Sequence, residues 1–342
     1  MAIQKHTLDY AEFYITNVCN YSCTNCNRFN NLNLKGFQRW HEYRDKYKIF
    51  SDQLNIKEIG ILGGEPFLNP DIYNWIEGLR EYWPESTIKI CTNGSRPNDQ
   101  KLLTLLMENK GKIFIYYSCH DLTYYYKFHK SILEFLPECN YKIFWNIKKW
   151  NDIYPHIKGE DWPDEVMDIT DIKNFEYLKN ELSDINMDIE SFQDHIFYYV
   201  DDIKYAMLQP AWYFNATAIK NNNGELYSEA ISDPIKSHNA CNMKTCHQFI
   251  EGKLSKCSLP YTLQTAINQG FVNINQKDYK LLADYKPLTT LAKPDEFENF
   301  INNLKNPIEQ CKFCPEFLQG TGTKISIVNK KDSRKKNVIR FT

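Results

Sequence analysis

The chain has 342 residues, with 41 basic against 43 acidic side chains, a balance that leaves no footprint for nucleic acid or a membrane surface. No stretch approaches 18 consecutive apolar residues, and the opening MAIQKHTLDYAEF has neither an apolar signal core nor a small-residue cleavage site. A cytoplasmic protein is expected, long enough for a large domain followed by a smaller one.

From residue 13 to about 150, short β-rich runs alternate with amphipathic helical runs, which predicts βα units around a parallel sheet. The stretches 12–18, 57–62, 86–92, 112–118 and 141–147 read as strands. Behind an Asn-Pro-Asp start, Ile72, Trp75, Ile76, Leu79 and Trp83 fall on one helical face, and 98–110 repeats the pattern. Residues 194–200 offer a sixth strand. Periodicity does not separate a doubly wound sheet from an αβ barrel, but either places ligands at the carboxyl ends of the strands. The acidic segment 151–193 reads as an insertion or a lid, with a solvated excursion as the alternative. Beyond about residue 205 the pattern changes to a hairpin around Asn223-Gly224, a second turning at Glu251-Gly252, and a helix with Phe297, Phe300, Ile301 and Leu304 inward. A basic tail, NKKDSRKKNVIR, follows.

Eleven cysteines punctuate this plan, grouped as 19, 23, 26, then 91, 119, 139 singly, then 241, 246, 257, 311 and 314. A reducing compartment argues against a disulfide framework, leaving metal, catalysis or burial. Cys19, Cys23 and Cys26 form C-x3-C-x2-C on the loop leaving the first strand. A structural zinc needs a fourth ligand, and His6 and His41 sit outside the loop. Three thiolates without a fourth suit a four-iron cluster with one iron open.

These residues resemble the radical S-adenosylmethionine (radical SAM) superfamily. The resemblance implies a partial (βα)6 barrel whose first loop binds a 4Fe-4S cluster through Cys19, Cys23 and Cys26, the open iron chelating SAM. The family commonly carries an aromatic residue where this chain has Asn25. Gly63, Gly64, Glu65 and Pro66, directly after the second strand, match the Gly-Gly-Glu-Pro motif that contacts the SAM amino group. Thr92, Asn93 and Gly94 match the turn ending the third strand, and Ser118 ends the fourth, where a polar residue often binds the ribose. The matching elements span residues 12–150.

The later cysteines could bind zinc. Cys241-x10-Gly252-x4-Cys257 followed by Cys311-x2-Cys314 also looks like a twitch domain, the shorter relative of the SPASM domain. That resemblance implies a second, fully ligated 4Fe-4S cluster on Cys241, Cys257, Cys311 and Cys314, with Cys246 spare or replacing Cys241. The implied division is 1–205 for the barrel and 206–342 for the small β-hairpin and helix domain. Cys91 and Cys139 are expected to be buried hydrophobes, while Cys119 and Cys246 are candidate hydrogen donors if the reaction is an epimerisation.

The implied chemistry is one-electron cleavage of SAM to a 5'-deoxyadenosyl radical that abstracts hydrogen, with the auxiliary cluster favouring oxidation. An electron donor such as flavodoxin or ferredoxin is the expected partner. Only about a dozen residues precede the first strand, which is read as the absence of a peptide-recognition domain and favours a small polar metabolite over a peptide substrate. The rivals are a peptide-modifying maturase that crosslinks or epimerises, and a non-catalytic zinc protein.

Overall fold

A computed structural model describes residues 5–23, 26–95, 100–118, 225–241 and 243–316, with the strand segments 141–146, 166–168, 195–200, 203–208, 213–214, 219–222 and 319–320. Its strands are β1 (His6–Thr16), β2 (Leu54–Gly63), β3 (Thr87–Thr92), β4 (Ile113–Ser118), β5 (Tyr141–Asn146), β6 (Val166–Asp168), β7 (His195–Val200), β8 (Ile203–Leu208), β9 (Tyr213–Phe214), β10 (Ile219–Asn222), β11 (Glu225–Ser228), β12 (His247–Ile250), β13 (Lys253–Ser255), β14 (Asn273–Ile274) and β15 (Gln319–Gly320). Its helices are α1 (Trp40–Gln53), α2 (Ile72–Tyr82), α3 (Gln100–Glu108), α4 (Pro234–Ala240), α5 (Leu259–Asn268), α6 (Gln276–Ala283) and α7 (Pro294–Asn303). The class is α/β, as the alternating pattern predicts.

Contacts group the chain into two compact units, one of residues 1–88, 212–321 and 325–342, the other of 89–211 and 322–324. These units interleave along the chain. In the first unit β1 lies between β2 and β12 and is parallel to both, with Phe13 opposite Ile61 on one side and Phe249 on the other. The hairpin of β12 and β13 turns at Glu251 (φ 52°) and Gly252 (φ 71°). Positive φ at both central residues is the turn whose twist matches paired strands, so the turn expected from the sequence is present. Its strands extend the sheet that contains β1.

The alternation of side chains along β1 explains how this sheet is covered. Phe13 stacks on Phe249 at 4.7 Å between ring centres and meets Tyr47 of α1 and Trp83 edge-on at 5.2 and 5.5 Å. Trp75 of α2 is fully buried beside them. The helical face predicted for α2 is the buried one: Ile72, Trp75, Ile76 and Leu79 are inside, followed by Trp83. On α7, Phe297 and the following Leu304 are buried, whereas Phe300 and Ile301 are half-buried.

In the second unit the strand order is β3-β4-β8-β7-β5-β6. β4 and β8 are parallel, but β8, β7, β5 and β6 pair antiparallel in turn. The segment expected as a sixth strand is β7, and its direction differs from that of a βα unit for a simple reason. Only residues 201–202 separate β7 from β8, and a two-residue link joins antiparallel neighbours alone. The expected hairpin at 223–224 is flanked by paired β10 and β11. The expectations for 151–193, apart from β6, and for the basic tail lie outside the described residues.

Gly78 tests how tightly α1 and α2 are pressed together, because a Cβ there would overlap the Trp40 indole. Alanine gains about 1 kcal/mol in helix propensity, but overpacking costs about 1–3 kcal/mol. Gly78→Ala is expected to lower the urea midpoint; an unchanged or raised midpoint would show that the contact is slack.

Candidate functional site

The loop carrying Cys19, Cys23 and Cys26 leaves the carboxyl end of β1, and all three thiols are half-buried. Its first turn is set locally: Val18 N–H donates to Thr16 Oγ1 at 3.0 Å, and Tyr21 N–H to Cys19 Sγ at 3.4 Å. The end of β2 is pinned against it. Gly64 N–H donates to the Thr16 carbonyl at 2.7 Å and Glu65 N–H to the Val18 carbonyl at 2.8 Å. A Cβ on Gly63 would collide with the Thr16 carbonyl oxygen, and one on Gly64 with that of Val18. This close approach is the physical reason for two consecutive glycines. Glu65 is fully buried and accepts from Phe67 N–H at 3.2 Å, capping the short turn that starts at Pro66.

Three residues not singled out from the sequence organise this loop. Asn30 spans it: Nδ2 donates to the Asn17 carbonyl at 2.8 Å and to the Tyr14 hydroxyl at 2.9 Å, while Oδ1 faces the Cys26 thiol at 4.0 Å. Asn69 donates to the Ile15 and Gln38 carbonyls, both at 2.9 Å. Arg28, two residues past Cys26, donates to Glu12 of β1 at 2.7 Å and to Gln248 of β12 at 2.9 Å. Glu12 also accepts from Gln248 Nε2 and, at 3.0 Å, from Tyr10. Burial opposes the Arg28 charge, but the charge and hydrogen bond of Glu12 outweigh it, with Tyr14 and Cys246 adding, so the pKa is raised. The signal was in the sequence only as a Glu on a strand face and an Arg beside the cysteines, types that are seldom buried unless paired.

Two features of this loop fit a bound group. The Asn17 side chain is 6% exposed, and its Oδ1 has no hydrogen-bond partner among the described residues. The half-buried thiols supply three donors of one chemical kind. Among the described residues no three His, Cys, Asp or Glu side chains converge as they would on one metal ion; a cluster that takes one thiolate per iron has its ligands further apart. A cavity of about 590 Å³ lies in the same unit, bounded by Thr16, Asn17, Gln38, Glu251, Lys253 and Gln264 among others.

The later cysteines also gather in the first unit. Cys241 follows α4, Cys257 follows β13, and Cys311 and Cys314 lie in and after a tight turn over 309–313. Ser232 N–H donates to the Lys312 carbonyl at 3.1 Å, Ser237 Oγ to that of Cys314 at 2.9 Å, and Cys314 N–H to that of Cys311 at 2.9 Å. Burial pushes the Cys257 thiol up to about 12, with Cys311 and Cys241 adding to the rise. Burial likewise raises Cys241, with Cys311 contributing. His238, three residues before Cys241, is 9% exposed and its Nε2 has no partner among the described residues. Four thiols are the donor set that a four-iron cluster takes, one thiolate per iron. The Cys246 thiol lies 3.9 Å from Met243 Sδ, and its charge adds to the rise at Arg28.

In the second unit Asn93 is buried and its Oδ1 accepts from Ser95 N–H at 2.9 Å, while Thr92 Oγ1 accepts from Gly94 N–H at 3.0 Å. Gly94 has φ 67°, so the turn itself requires that residue type. Ser118 is half-buried at the end of β4, and Cys91 is half-buried. Asn25, Cys119 and Cys139 lie outside the described residues.

Removing one partner of a buried ion pair strands the other charge, at a cost of about 3–5 kcal/mol. Arg28→Met is therefore expected to lose stability of that order in a denaturant titration, and Arg28→Met with Glu12→Gln to recover part of it. Equal stability of wild type and Arg28→Met would show that the pair does not hold the loop.

Among proteins of known activity, the chain is 33% identical over 91 residues to a GTP 3',8-cyclase of Pectobacterium atrosepticum, covering 25% of this chain and 27% of that protein. It is 31% identical over 90 residues to that of Petrotoga mobilis, covering 26% and 28%. The chain thus spans about a quarter of the length of these relatives. Solved structures similar to it include Streptococcus suis SuiB bound to S-adenosylmethionine, at 21% identity and TM-score 0.29 over 35% of this chain and 27% of that one. Another is anSMEcpe with bound AdoMet and Cp18Cys peptide, at 18% and 0.30 over 39% and 40%. The motif-bearing segment is also where a family model matches: residues 13–150 are similar to the Radical SAM superfamily.

Proposed function

We propose that the protein is a radical SAM enzyme whose Cys19, Cys23 and Cys26 hold a 4Fe-4S cluster that binds SAM. The observation that carries this reading is the Gly63-Gly64 backbone bonded against the entry of the C-x3-C-x2-C loop, within the segment that matches the family. When bound, such a cluster supplies one electron to SAM, and the resulting 5'-deoxyadenosyl radical takes hydrogen from substrate. The chain's own residues position that chemistry. Thr16 and Val18 carbonyls hold the Gly-Gly-Glu-Pro backbone, Asn30 clamps the two ends of the cysteine loop, and Glu65 presents a buried carboxylate beside it. The roles of Asn93 and Ser118 toward SAM rest on the resemblance.

Cys241, Cys257, Cys311 and Cys314 are proposed to ligate an auxiliary 4Fe-4S cluster in a twitch-type region within 206–342. Cys241 is favoured over Cys246 because Cys241 and Cys311 both add to the rise of the Cys257 thiol and Cys311 to that of Cys241. The substrate class favoured is a small polar metabolite, for which the 590 Å³ cavity offers polar side chains such as Asn17, Gln38 and Glu251 beside aromatic ones such as Tyr14 and Phe37, and with which the nucleotide-acting names of the sequence relatives agree. The auxiliary cluster then favours oxidation of the substrate radical, and a flavodoxin or ferredoxin is the electron donor proposed.

After anaerobic reconstitution the protein is expected to be brown and to hold about eight iron and eight sulfide per chain, two four-iron clusters. With SAM and a strong reductant it is expected to release 5'-deoxyadenosine, and Cys23→Ala to abolish that release. Colourless protein with stoichiometric zinc, or loaded protein that makes no 5'-deoxyadenosine, would overturn the proposal.

A further inference from the structure

Lys256 immediately precedes Cys257 and is 4% exposed. Its ammonium donates to the Leu304 carbonyl beyond α7, and its backbone is fixed on both sides: the N–H donates to the Tyr285 hydroxyl at 2.7 Å and the carbonyl lies 3.0 Å from His247 Nδ1. The ammonium leaves this buried position only by giving up its bond to the Leu304 carbonyl. Burial pulls its pKa down, and among the described residues the groups whose charge opposes that are Cys257, Cys311 and Cys241. A buried cation is costly unless an anion stands beside it. Thiols become anionic when they take up metal, so the four-cysteine group supplies that anion only when loaded.

We propose that Lys256 is a positioning charge that raises the reduction potential of the cluster held by Cys241, Cys257, Cys311 and Cys314. This rests on the auxiliary-cluster reading above. The physical basis is that cluster potentials follow local net charge, hydrogen bonding and solvent exposure. A fixed positive charge stabilises the reduced, more negative state over the oxidised one. The outcome is a cluster that more readily takes an electron, the role required of an acceptor for a substrate radical.

The test is an EPR-monitored redox titration of the full chain after anaerobic reconstitution, comparing wild type with Lys256→Met, Lys256→Gln and Lys256→Arg. Met removes both charge and hydrogen bond, whereas Gln retains a donor for Leu304, so either neutral variant that loads is informative. Both are expected to shift the second cluster's one-electron equilibrium at least tenfold toward the oxidised form, about 59 mV. Lys256→Arg is expected to stay near wild type, and the first cluster's potential to be the same in all four proteins. A neutral variant with full iron and sulfide that titrates at the wild-type potential would overturn the proposal while leaving the auxiliary cluster standing. Wild type with only about four iron per chain overturns the auxiliary cluster and this inference together.

Discussion

The arrangement of both cysteine groups depends on one hydrophobic core in the first unit. Phe29, Leu32 and Leu34, which follow Cys26, are buried with Leu226, Leu259, Leu263, Ala266, Val272, Leu282 and Phe313. Cys257 and Cys314 pack on the same core. Phe313 sits between Cys311 and Cys314 and is fully buried, so the turn that presents those two thiols is anchored by the core that anchors the exit of the first loop. Burying an aromatic or leucine side chain is worth about 1.5–3 kcal/mol, and here that energy is spent on fixing where thiols stand. Neither cysteine group could shift far without unpacking the other's support.

Polar contacts refine what the core sets. Arg28 reaches from the first loop to β1 and β12 at once, and the hairpin that begins with β12 ends one residue before Lys256. The hairpin therefore connects a charged anchor of the first loop to the chain entering the second cysteine group. Phe13, Phe249 and Tyr47 brace the opposite face of the same strands. Stiffness of this kind suits the proposed role of holding redox groups and excluding competing reactions. It also explains why the Gly63-Gly64 pair permits no side chain: the two strand ends are already in contact.

Much of the fold was legible because it rests on short-range regularities. The face of α2 with Ile72, Trp75, Ile76 and Leu79, and the Glu251-Gly252 turn, follow from helical periodicity and from turn chemistry. The direction of β7 was hidden because strand composition carries no sense of direction, and β8 after the two-residue link was not separated from it. The place of β12 beside β1 was hidden for another reason. Residues Ala11 and His247 pair across more than two hundred positions, and no local pattern encodes such a pairing. The candidate ligands were legible by spacing, while Arg28, Asn30 and Lys256 were not, since their importance comes from burial and partners that only the folded chain reveals.

The account's central claim is that two distinct four-iron clusters share one compact unit and that only the first binds SAM. The most direct measurement is the EPR spectrum of the reduced, reconstituted protein with and without SAM, alongside a variant with Cys19, Cys23 and Cys26 all replaced by Ala. The account predicts two cluster signals in the wild type, of which one changes on adding SAM, and a variant that keeps only the insensitive one. A single signal in the wild type, or a SAM-responsive signal that persists in the variant, would contradict it.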